Sequence, residues 1–354
     1  MKASAAQSSL RWVLRRYSSA LAVALVLFSG PLPPVAAEGN SFPPYQRPGR
    51  LVDIGTHRLH LYCRGDGSPA VIMDAGLGGS ALEWLAVQAA LSGRATACVY
   101  DRGGYGWSDP GPAPRTSSRL ADELYLLLQK AQVPAPYILV GHSFGGYTVQ
   151  LFASRYPEAT RGLVLVDSSH AGQLERFQAA PIRVKLAPSI TGDTVFVRFS
   201  PPRLHPMLPE NVKGTIYRLM LRRTARRAMA AEFLGFRQSA DEVKQEGGLP
   251  DVPVFVLTRG RRVWDRDDRG DRMEKLWFEL QGELARRVPR HAHLVALHSG
   301  HYIHLDQPQL VVNAVLKVIE VSRRAPQGPG TVEMASGRVT TPLVNQYRLC
   351  SSTF

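Results

Sequence analysis

Cysteine is scarce in this sequence, with three residues, Cys63, Cys98 and Cys350, in a chain of 354. No two of them have the CxxC spacing of a zinc ribbon or a thioredoxin-like redox centre, which argues against both kinds of site. A zinc-finger pattern, a ladder of aromatic and basic residues and a glycine-rich phosphate loop are also missing. We therefore expect no nucleic-acid partner.

Long hydrophobic runs are missing as well. The apolar run of residues 20–28 is shorter than the roughly 20 residues that a membrane-spanning helix needs. Basic residues precede it, prolines end it, and a Val-Ala-Ala sequence closes at Ala37, which is typical of a cleaved secretory signal peptide. We predict a signal peptide over residues 1–37, a linker over residues 38–50, and export to the periplasm or the medium. Retention of the uncleaved segment as a membrane anchor is the alternative.

Acidic residues are few compared with basic ones, and 29 Asp and Glu against 43 Lys and Arg give a formal net charge of +14. Net charge bears on solubility and on attraction to anionic surfaces, not on the fold. We interpret the arginines of one predicted helical stretch as solvated charges, and not as a site for an anionic substrate or a membrane. They are Arg222, Arg223, Arg226 and Arg227. The expected partner is a small molecule.

Short apolar runs alternate with segments of helical periodicity along most of the chain. After a predicted β-hairpin over residues 51–63, strands and helices alternate over residues 70–166 and again over residues 254–321. This alternation implies a parallel sheet with helices on both faces. Continuous apolar runs such as residues 163–166 fit strands that are buried on both sides. The predicted fold class is therefore α/β with a doubly wound sheet.

The alternation is interrupted over residues 170–248. This segment contains two predicted helices, at residues 212–227 and 228–246. We interpret it as a helical lid between two parts of one core, residues 51–169 and residues 249–322. Residues 323–354 have no clear periodicity, and we expect them to form a flexible C-terminal tail.

The strongest chemical motif is the G-x-S-x-G sequence of residues 141–145, which joins a predicted strand to a predicted helix. In that context it indicates a nucleophile elbow, a turn too tight for neighbouring Cβ atoms in which the serine hydroxyl is lifted clear of the sheet. We predict Ser143 as the nucleophile. The backbone amides of Phe144 and of Leu77, in the glycine-rich loop of residues 74–79, are the predicted oxyanion hole.

An activated serine needs a general base within hydrogen-bond reach, and His301 is the candidate. It lies between the last predicted strand and the helix that begins at Pro308. In chains with a G-x-S-x-G elbow, the general base follows the last strand. Gly300 lets the loop turn directly before it. We interpret the neighbouring His298 and His304 as structural or solvated.

Together these motifs resemble the α/β-hydrolase superfamily, in its branch of esterases, haloperoxidase-like perhydrolases, haloalkane dehalogenases and epoxide hydrolases. The resemblance covers residues 51–321 and includes the segments of residues 100–108 and 299–301. It implies an α/β-hydrolase fold with the lid inserted after strand six, and chemistry without a cofactor or a metal. Dehalogenases and epoxide hydrolases of this branch have aspartate at the elbow, so Ser143 argues against both activities.

Two aspartates compete for the role of the triad acid. Asp167 ends the strand after the elbow helix and resembles the strand-six acid of some haloalkane dehalogenases. Asp265 follows the next strand, which is the more common position of the acid in the family. The loop there is basic, however, and Asp265 is its first acidic residue, several positions after the predicted end of the strand. We predict Asp167, with Asp265 as the alternative, and interpret Asp267 and Asp268 as surface charges. By the same resemblance, Asp101 and Arg102 brace loops and are not catalytic.

Cys63 and Cys98 end predicted strands that are neighbours in the sheet order that the resemblance implies. In an oxidising compartment we expect a disulfide between them. Two buried free thiols are the alternative.

The activity that the sequence favours is hydrolysis of a carboxylic ester through an acyl-enzyme, as in a carboxylesterase. His301 would deprotonate Ser143, the two amides would hold the oxyanion, and water would release the acid. A cofactor-free perhydrolase using the same serine is the first alternative, and a noncatalytic binding protein on the same scaffold is the second. Fold-level resemblance does not identify the acyl group or the leaving group.

Overall fold

A mostly parallel sheet lies at the centre of the computed structural model, which describes residues 46–179, 204–323 and 347–349. Its strands are Arg50–Asp53 (β1), Arg58–Arg64 (β2), Ala70–Asp74 (β3), Ala97–Asp101 (β4), Tyr137–His142 (β5), Thr160–Val166 (β6), Val254–Arg259 (β7), His291–Ala296 (β8) and Tyr347–Leu349 (β9). They lie in the order β1-β2-β4-β3-β5-β6-β7-β8-β9. Strands β3 to β8 are parallel, whereas β1, β2 and β9 pair with antiparallel neighbours. The carboxyl ends of the parallel strands therefore meet at one edge.

Helices cover both faces of this sheet. They are Leu85–Leu91 (α1), Ser117–Lys130 (α2), Gly145–Arg155 (α3), Gln173–Ala179 (α4), Glu210–Met220 (α5), Arg223–Leu234 (α6), Phe236–Gln245 (α7), Asp268–Ala285 (α8), Ile303–Asp306 (α9) and Pro308–Arg323 (α10). In β5, Leu139 packs in a core with α2 and α3, whereas Ile138 and Val140 pack in a second core with α1 and α10. Successive strand residues point to opposite faces of the sheet, and both faces are buried in a core. Consecutive residues of such a strand are therefore apolar, which explains the continuous apolar runs of the sequence.

The segment inserted between β6 and β7 differs in detail from the prediction. In place of the helix predicted at 212–227 and the one at 228–246, the structure has α5, α6 and α7. The first break occurs at Arg222, whose backbone leaves the helical conformation with φ −58° and ψ 143°, and Gly235 separates the other two helices. Residues 180–203 of the predicted lid lie outside the described residues.

The structure tests the predictions for the two ends of the chain only in part. The predicted signal peptide, most of the linker and Cys350 lie outside the residues that the structure describes. In the C-terminal tail, expected to be flexible, Tyr347–Leu349 instead pair with β8 as strand β9, and three residues are too few to produce a detectable periodicity. Within the described ranges, no helix is long and apolar enough to cross a bilayer.

The predicted disulfide between Cys63 and Cys98 is confirmed. The two residues are direct partners across the antiparallel pair of β2 and β4, with their Cα atoms 4.0 Å apart. The bond closes a loop with a sequence separation of 35 residues. It therefore ties the hairpin of β1 and β2 at the sheet edge covalently to β4, a fully buried strand.

Candidate active site

Ser143 forms the tight turn between β5 and α3. Its backbone has a φ of 49°, a left-handed conformation that costs free energy in a residue with a Cβ atom. The turn is held by hydrogen bonds from the Ser143 amide to the Val166 carbonyl, 3.2 Å, and from the Ser169 amide to the Ser143 carbonyl, 2.9 Å. A Cβ atom at Gly146 would lie 1.8 Å from Ser168 Oγ, so glycine is required there. The structure thus has the strained elbow that the sequence predicts.

The structure brings His301 together with Asp167, at the ends of β8 and β6. His301 Nδ1 lies 2.6 Å from Asp167 Oδ2. Asp167 is fully buried, and its Oδ1 also accepts hydrogen bonds from Trp277 Nε1, 2.8 Å, and from the Arg259 amide, 3.1 Å. Because the carboxylate is fixed from several directions, it holds the His301 ring in one orientation.

The ionisation of Asp167 is set by opposing effects. Burial by itself would raise its pKa, but the hydrogen bond and charge of His301, the charge of Arg259 and the hydrogen bond from Trp277 together lower the pKa below its ordinary value. Asp167 is therefore a carboxylate near neutral pH. Its negative charge lies beside Nδ1 of the His301 ring, where it would stabilise an imidazolium formed by protonation of Nε2.

Arg259 is a buried cation directly beside this acid. Its Nη1 donates to Asp167 Oδ2 at 3.1 Å, and its Nη2 pairs with Glu274 at 3.1 Å. The guanidinium lies 4.5 Å from the ring centre of Trp264 and 4.9 Å from that of Trp277. Arg259 therefore positions Asp167. The sequence showed only that this loop is basic, because the contact joins residues that lie far apart in the chain.

The alternative acid, Asp265, is placed differently. Its side chain is exposed, and the acid hydrogen-bonded to His301 is Asp167. Asp267, interpreted as a surface charge, is exposed but also caps helix α8 by accepting from the Gly270 amide at 2.6 Å. The basic loop after β7 thus contributes a helix cap to the region and no acid that contacts the base, whereas Arg259 is the last residue of β7 itself.

Arg102 orients the loop that carries the second predicted oxyanion donor. Its guanidinium donates to the carbonyls of Ala75, 2.6 Å, and Gly76, 2.9 Å. Because C=O and N–H point in opposite directions across a trans peptide, the Leu77 amide points away from Arg102. Neither this amide nor that of Phe144 donates a hydrogen bond within the described part of the chain. Both are therefore free to donate to a substrate oxygen.

Asp101 and Arg102 brace loops, as expected. Asp101 accepts from His60 Nδ1 at 2.7 Å and from the Ala81 amide at 2.9 Å. Arg102 is buried and pairs with Glu232 of α6 at 2.9 Å. The ion pair connects an inserted helix to the core beside the oxyanion loop.

A cavity of about 190 Å³ joins these elements. Its wall includes Ser143 and His301, and Met220 of α5 contributes from the insert. The remaining lining residues are Gly76, Leu77, Gly78, Gly79, Glu83, His142 and Tyr302. The nucleophile, base and oxyanion loop predicted from the sequence therefore face one space.

Comparison with known proteins identifies the family. Residues 69–308 match the family described as the α/β-hydrolase fold. The chain belongs to this family. It is 27% identical to the uncharacterized protein YqjL of Bacillus subtilis over 256 residues, which cover 72% of this chain and 85% of YqjL. It is 36% identical to efuK of Hormonema carpetanum over 127 residues, which cover 34% of this chain but only 18% of efuK.

A solved structure agrees with this assignment. The thermophilic esterase of Thermogutta terrifontis superposes with a TM-score of 0.53 at 20% identity, covering 78% of this chain and 100% of the esterase chain. Identity this low shows a common fold and does not identify a substrate. The predicted α/β-hydrolase fold is confirmed.

Two further histidines of this α/β hydrolase lie beside the cavity, buried rather than solvated. His304 is fully buried and stacked on Trp84, with ring centres 4.3 Å apart, and burial lowers its pKa to about 3. Burial, together with the nearby rings of His304 and His301, holds the pKa of His142 well below its ordinary value. Both rings are therefore neutral near pH 7. The exposed His298 has no such environment.

Glu83 is the pocket residue that sequence reasoning missed. It is 8% exposed, and burial raises the pKa of its carboxyl to about 7, although the Arg102 charge acts in the opposite direction. It lies near the start of a short 3₁₀ helix, Ala81–Trp84, where an acidic residue has an ordinary structural role. Its place in the cavity wall depends on how that helix packs, which the local sequence does not reveal.

The raised pKa of Glu83 predicts a particular dependence of stability on pH. Between its ordinary value of 4.5 and about 7, the folded protein holds a proton that the unfolded chain releases. Stability from this group is therefore complete below the lower value and is lost as the pH rises through the upper one. We expect the free energy of unfolding to fall, relative to Glu83→Gln, by about 3 kcal/mol between roughly pH 5 and pH 8.

Urea unfolding of both proteins across this pH range measures the difference. Glu158→Gln, the same change at an exposed position, is the control and should run parallel to the wild type. A difference between wild type and Glu83→Gln that does not change with pH would contradict the assigned pKa.

Proposed function

We propose that this α/β hydrolase cleaves a carboxylic ester through an acyl-enzyme formed on Ser143. The observation that carries the proposal is the 2.6 Å contact between His301 and the buried, ionised Asp167, beside a serine on a strained elbow in the same cavity. An oriented histidine in the same cavity as a serine hydroxyl is the arrangement that activates a weak nucleophile.

The proposed reaction has two steps. The carboxylate of Asp167 accepts a hydrogen bond from Nδ1–H of His301, which keeps the proton on Nδ1 and leaves the Nε2 lone pair to take the proton of Ser143 as its oxygen attacks the ester carbonyl. The amides of Leu77 and Phe144 stabilise the oxyanion, and His301 then protonates the departing alcohol. Water, deprotonated by His301, attacks the acyl-enzyme and releases the carboxylic acid. Ser143 regains its proton, so the cycle closes.

The cavity supports a small substrate. About 190 Å³ is below the roughly 300–1,000 Å³ of sites for drug-sized ligands, so a short acyl chain fits best. We propose that the inserted helices act as a lid that limits this length. Met220 lines the cavity, and Met229 of α6 lies against the oxyanion loop, 3.0 Å from where a Cβ atom of Gly78 would be.

A panel of p-nitrophenyl esters of increasing acyl length tests the activity. We expect kcat/KM to be highest for the acetyl or propionyl ester and to fall steadily with longer chains. Peracid formation from acetate and hydrogen peroxide is measured in the same preparations. Absence of ester hydrolysis would contradict the proposal, and peracid formation faster than ester hydrolysis would favour a perhydrolase instead.

We propose further that the protein works outside the cytoplasm. The Cys63–Cys98 bond supports this, because structural disulfides persist in oxidising compartments and are rare elsewhere. Fractionation of expressing cells should recover a chain shortened by the segment of residues 1–37. A full-length chain that remains with the membrane fraction would favour the anchor.

A further inference from the structure

His142 presents a hydrogen-bond acceptor next to the elbow. Its Nε2 lies 3.0 Å from the carbonyl oxygen of His301, and because a carbonyl only accepts, Nε2 carries the proton. The neutral ring therefore has a lone pair on Nδ1, which is buried and has no partner among the described residues. A Cβ atom built on Gly76 would lie 2.9 Å from this nitrogen and 3.3 Å from Ser143 Cβ. His142 Nδ1 and the Ser143 side chain therefore both lie close to Gly76 of the oxyanion loop.

Glu83 presents a second acceptor at the other end of the same loop. Its Oε2 is buried without a hydrogen-bond partner in the described structure, and a Cβ atom at Gly79 would lie 2.6 Å from it. The backbone of Ser80 hydrogen-bonds the carboxyl, which fixes the side chain. The nearest histidine nitrogen, His304 Nε2, is 4.0 Å away, too far for a direct hydrogen bond.

We propose that Glu83 and His142 form a binding site for a hydrogen-bond donor on the acyl part of the substrate, so that the enzyme prefers hydroxyacyl or aminoacyl esters. The inference rests on the proposed ester hydrolysis. Two unpartnered acceptors at the two ends of the oxyanion loop favour a ligand that brings an O–H or N–H group close to the scissile carbonyl. A single O–H or N–H group would satisfy one of these acceptors, whereas a plain alkyl chain would leave both unsatisfied, as they are without a ligand.

The charge of Glu83 should make this preference depend on pH. Burial raises its pKa to about 7; the Arg102 charge lowers the pKa, and the Asp101 charge raises it further. His304, which is neutral, and Tyr302, whose own pKa Glu83 raises, also face it. Above about pH 7 Glu83 is therefore a carboxylate, the form that accepts hydrogen bonds most strongly.

The test compares phenyl glycolate with phenyl propionate, in which a methyl group replaces the hydroxyl. The ratio of their kcat/KM values is measured from about pH 6 to about pH 8, corrected for the uncatalysed rates. Titration of His301 affects both esters equally and cancels from the ratio. We expect the ratio to favour glycolate by roughly 10-fold or more and to rise with pH. Phenyl methoxyacetate, which lacks the donor, should behave like the propionate.

Glu83→Gln keeps the size of the side chain and an oxygen that can accept from Ser80, so the fold is expected to persist and is checked by thermal unfolding. We expect it to reduce the glycolate preference about 10-fold and to remove its pH dependence, whereas Glu158→Gln retains both. Unchanged selectivity in Glu83→Gln overturns the inference while ester hydrolysis stands. If the wild type hydrolyses neither ester, the proposed function itself fails.

Discussion

Replacing Ser143 with alanine is expected to lower kcat/KM for a p-nitrophenyl ester by roughly 10⁴- to 10⁶-fold. Without the hydroxyl no acyl-enzyme can form, and only binding and oxyanion stabilisation remain to assist direct attack by water. The effect should appear in kcat more than in KM, because the hydroxyl changes the barrier of the chemical step and contributes little to substrate binding.

The fold should survive this change. The left-handed φ of 49° is about equally unfavourable in free energy for alanine and for serine, because both have a Cβ atom. The turn is held by backbone hydrogen bonds to Val166 and Ser169, which alanine retains. Steady-state kinetics and thermal unfolding of the purified variant measure the two properties separately. A folded variant with activity within tenfold of the wild type would show that another residue is the nucleophile.

Replacing Asp167 with asparagine is expected to lower turnover by up to about 10⁴-fold near neutral pH. The amide can still accept from Trp277 through its oxygen, but its NH₂ group cannot accept a hydrogen bond from Nδ1–H of His301. The ring would then turn or take the other tautomer, and Nε2 would no longer be free to accept the proton of Ser143. The lost ion pair with Arg259 should also lower stability, so thermal unfolding must accompany the kinetics.

Asp265→Asn is the matched control for this experiment. Its side chain is exposed, so turnover should remain within about twofold of the wild type and stability should change by less than about 0.5 kcal/mol. A large loss of turnover in Asp265→Asn, with Asp167→Asn near normal, would show that the triad acid is Asp265, after β7, and not Asp167.

The sequence predicted the parts of the site that are encoded locally. The elbow depends on glycines within three residues of Ser143. Asp167 directly follows β6, and His301 lies in the loop between β8 and the last helices, so both follow strands whose apolar runs are visible in the sequence. Parallel strands bring their carboxyl ends to one edge, so residues at the ends of β5, β6 and β8 must approach one another. Recognising the order of the strands therefore placed the serine, the histidine and both candidate acids at one edge, but it did not decide between Asp167 and Asp265.

The parts that the sequence could not supply depend on packing between distant segments. Arg259 contacts Asp167 across 92 positions of the chain, and nothing in the local sequence distinguishes it from the arginines of the loop that follows β7. Glu83 looks in the sequence like any acidic residue near the start of a helix. His142 occupies the variable position between Gly141 and Ser143 of the elbow motif, so the motif does not mark it as functional. The break at Arg222 has no glycine or proline to mark it, whereas Gly235 offered a signal for the next one.

Covalent labelling of Ser143 tests the central claim most directly. A fluorophosphonate reacts only with a serine whose proton can be removed by a nearby base, so labelling reports the activated nucleophile without knowledge of the natural substrate. The wild-type protein should gain one phosphonyl group, mapped by mass spectrometry of the peptides to Ser143, and Ser143→Ala should gain none. A wild-type protein that stays unlabelled, or a label on another residue, would contradict a hydrolase that works through Ser143 and would favour a noncatalytic binding protein or a different nucleophile.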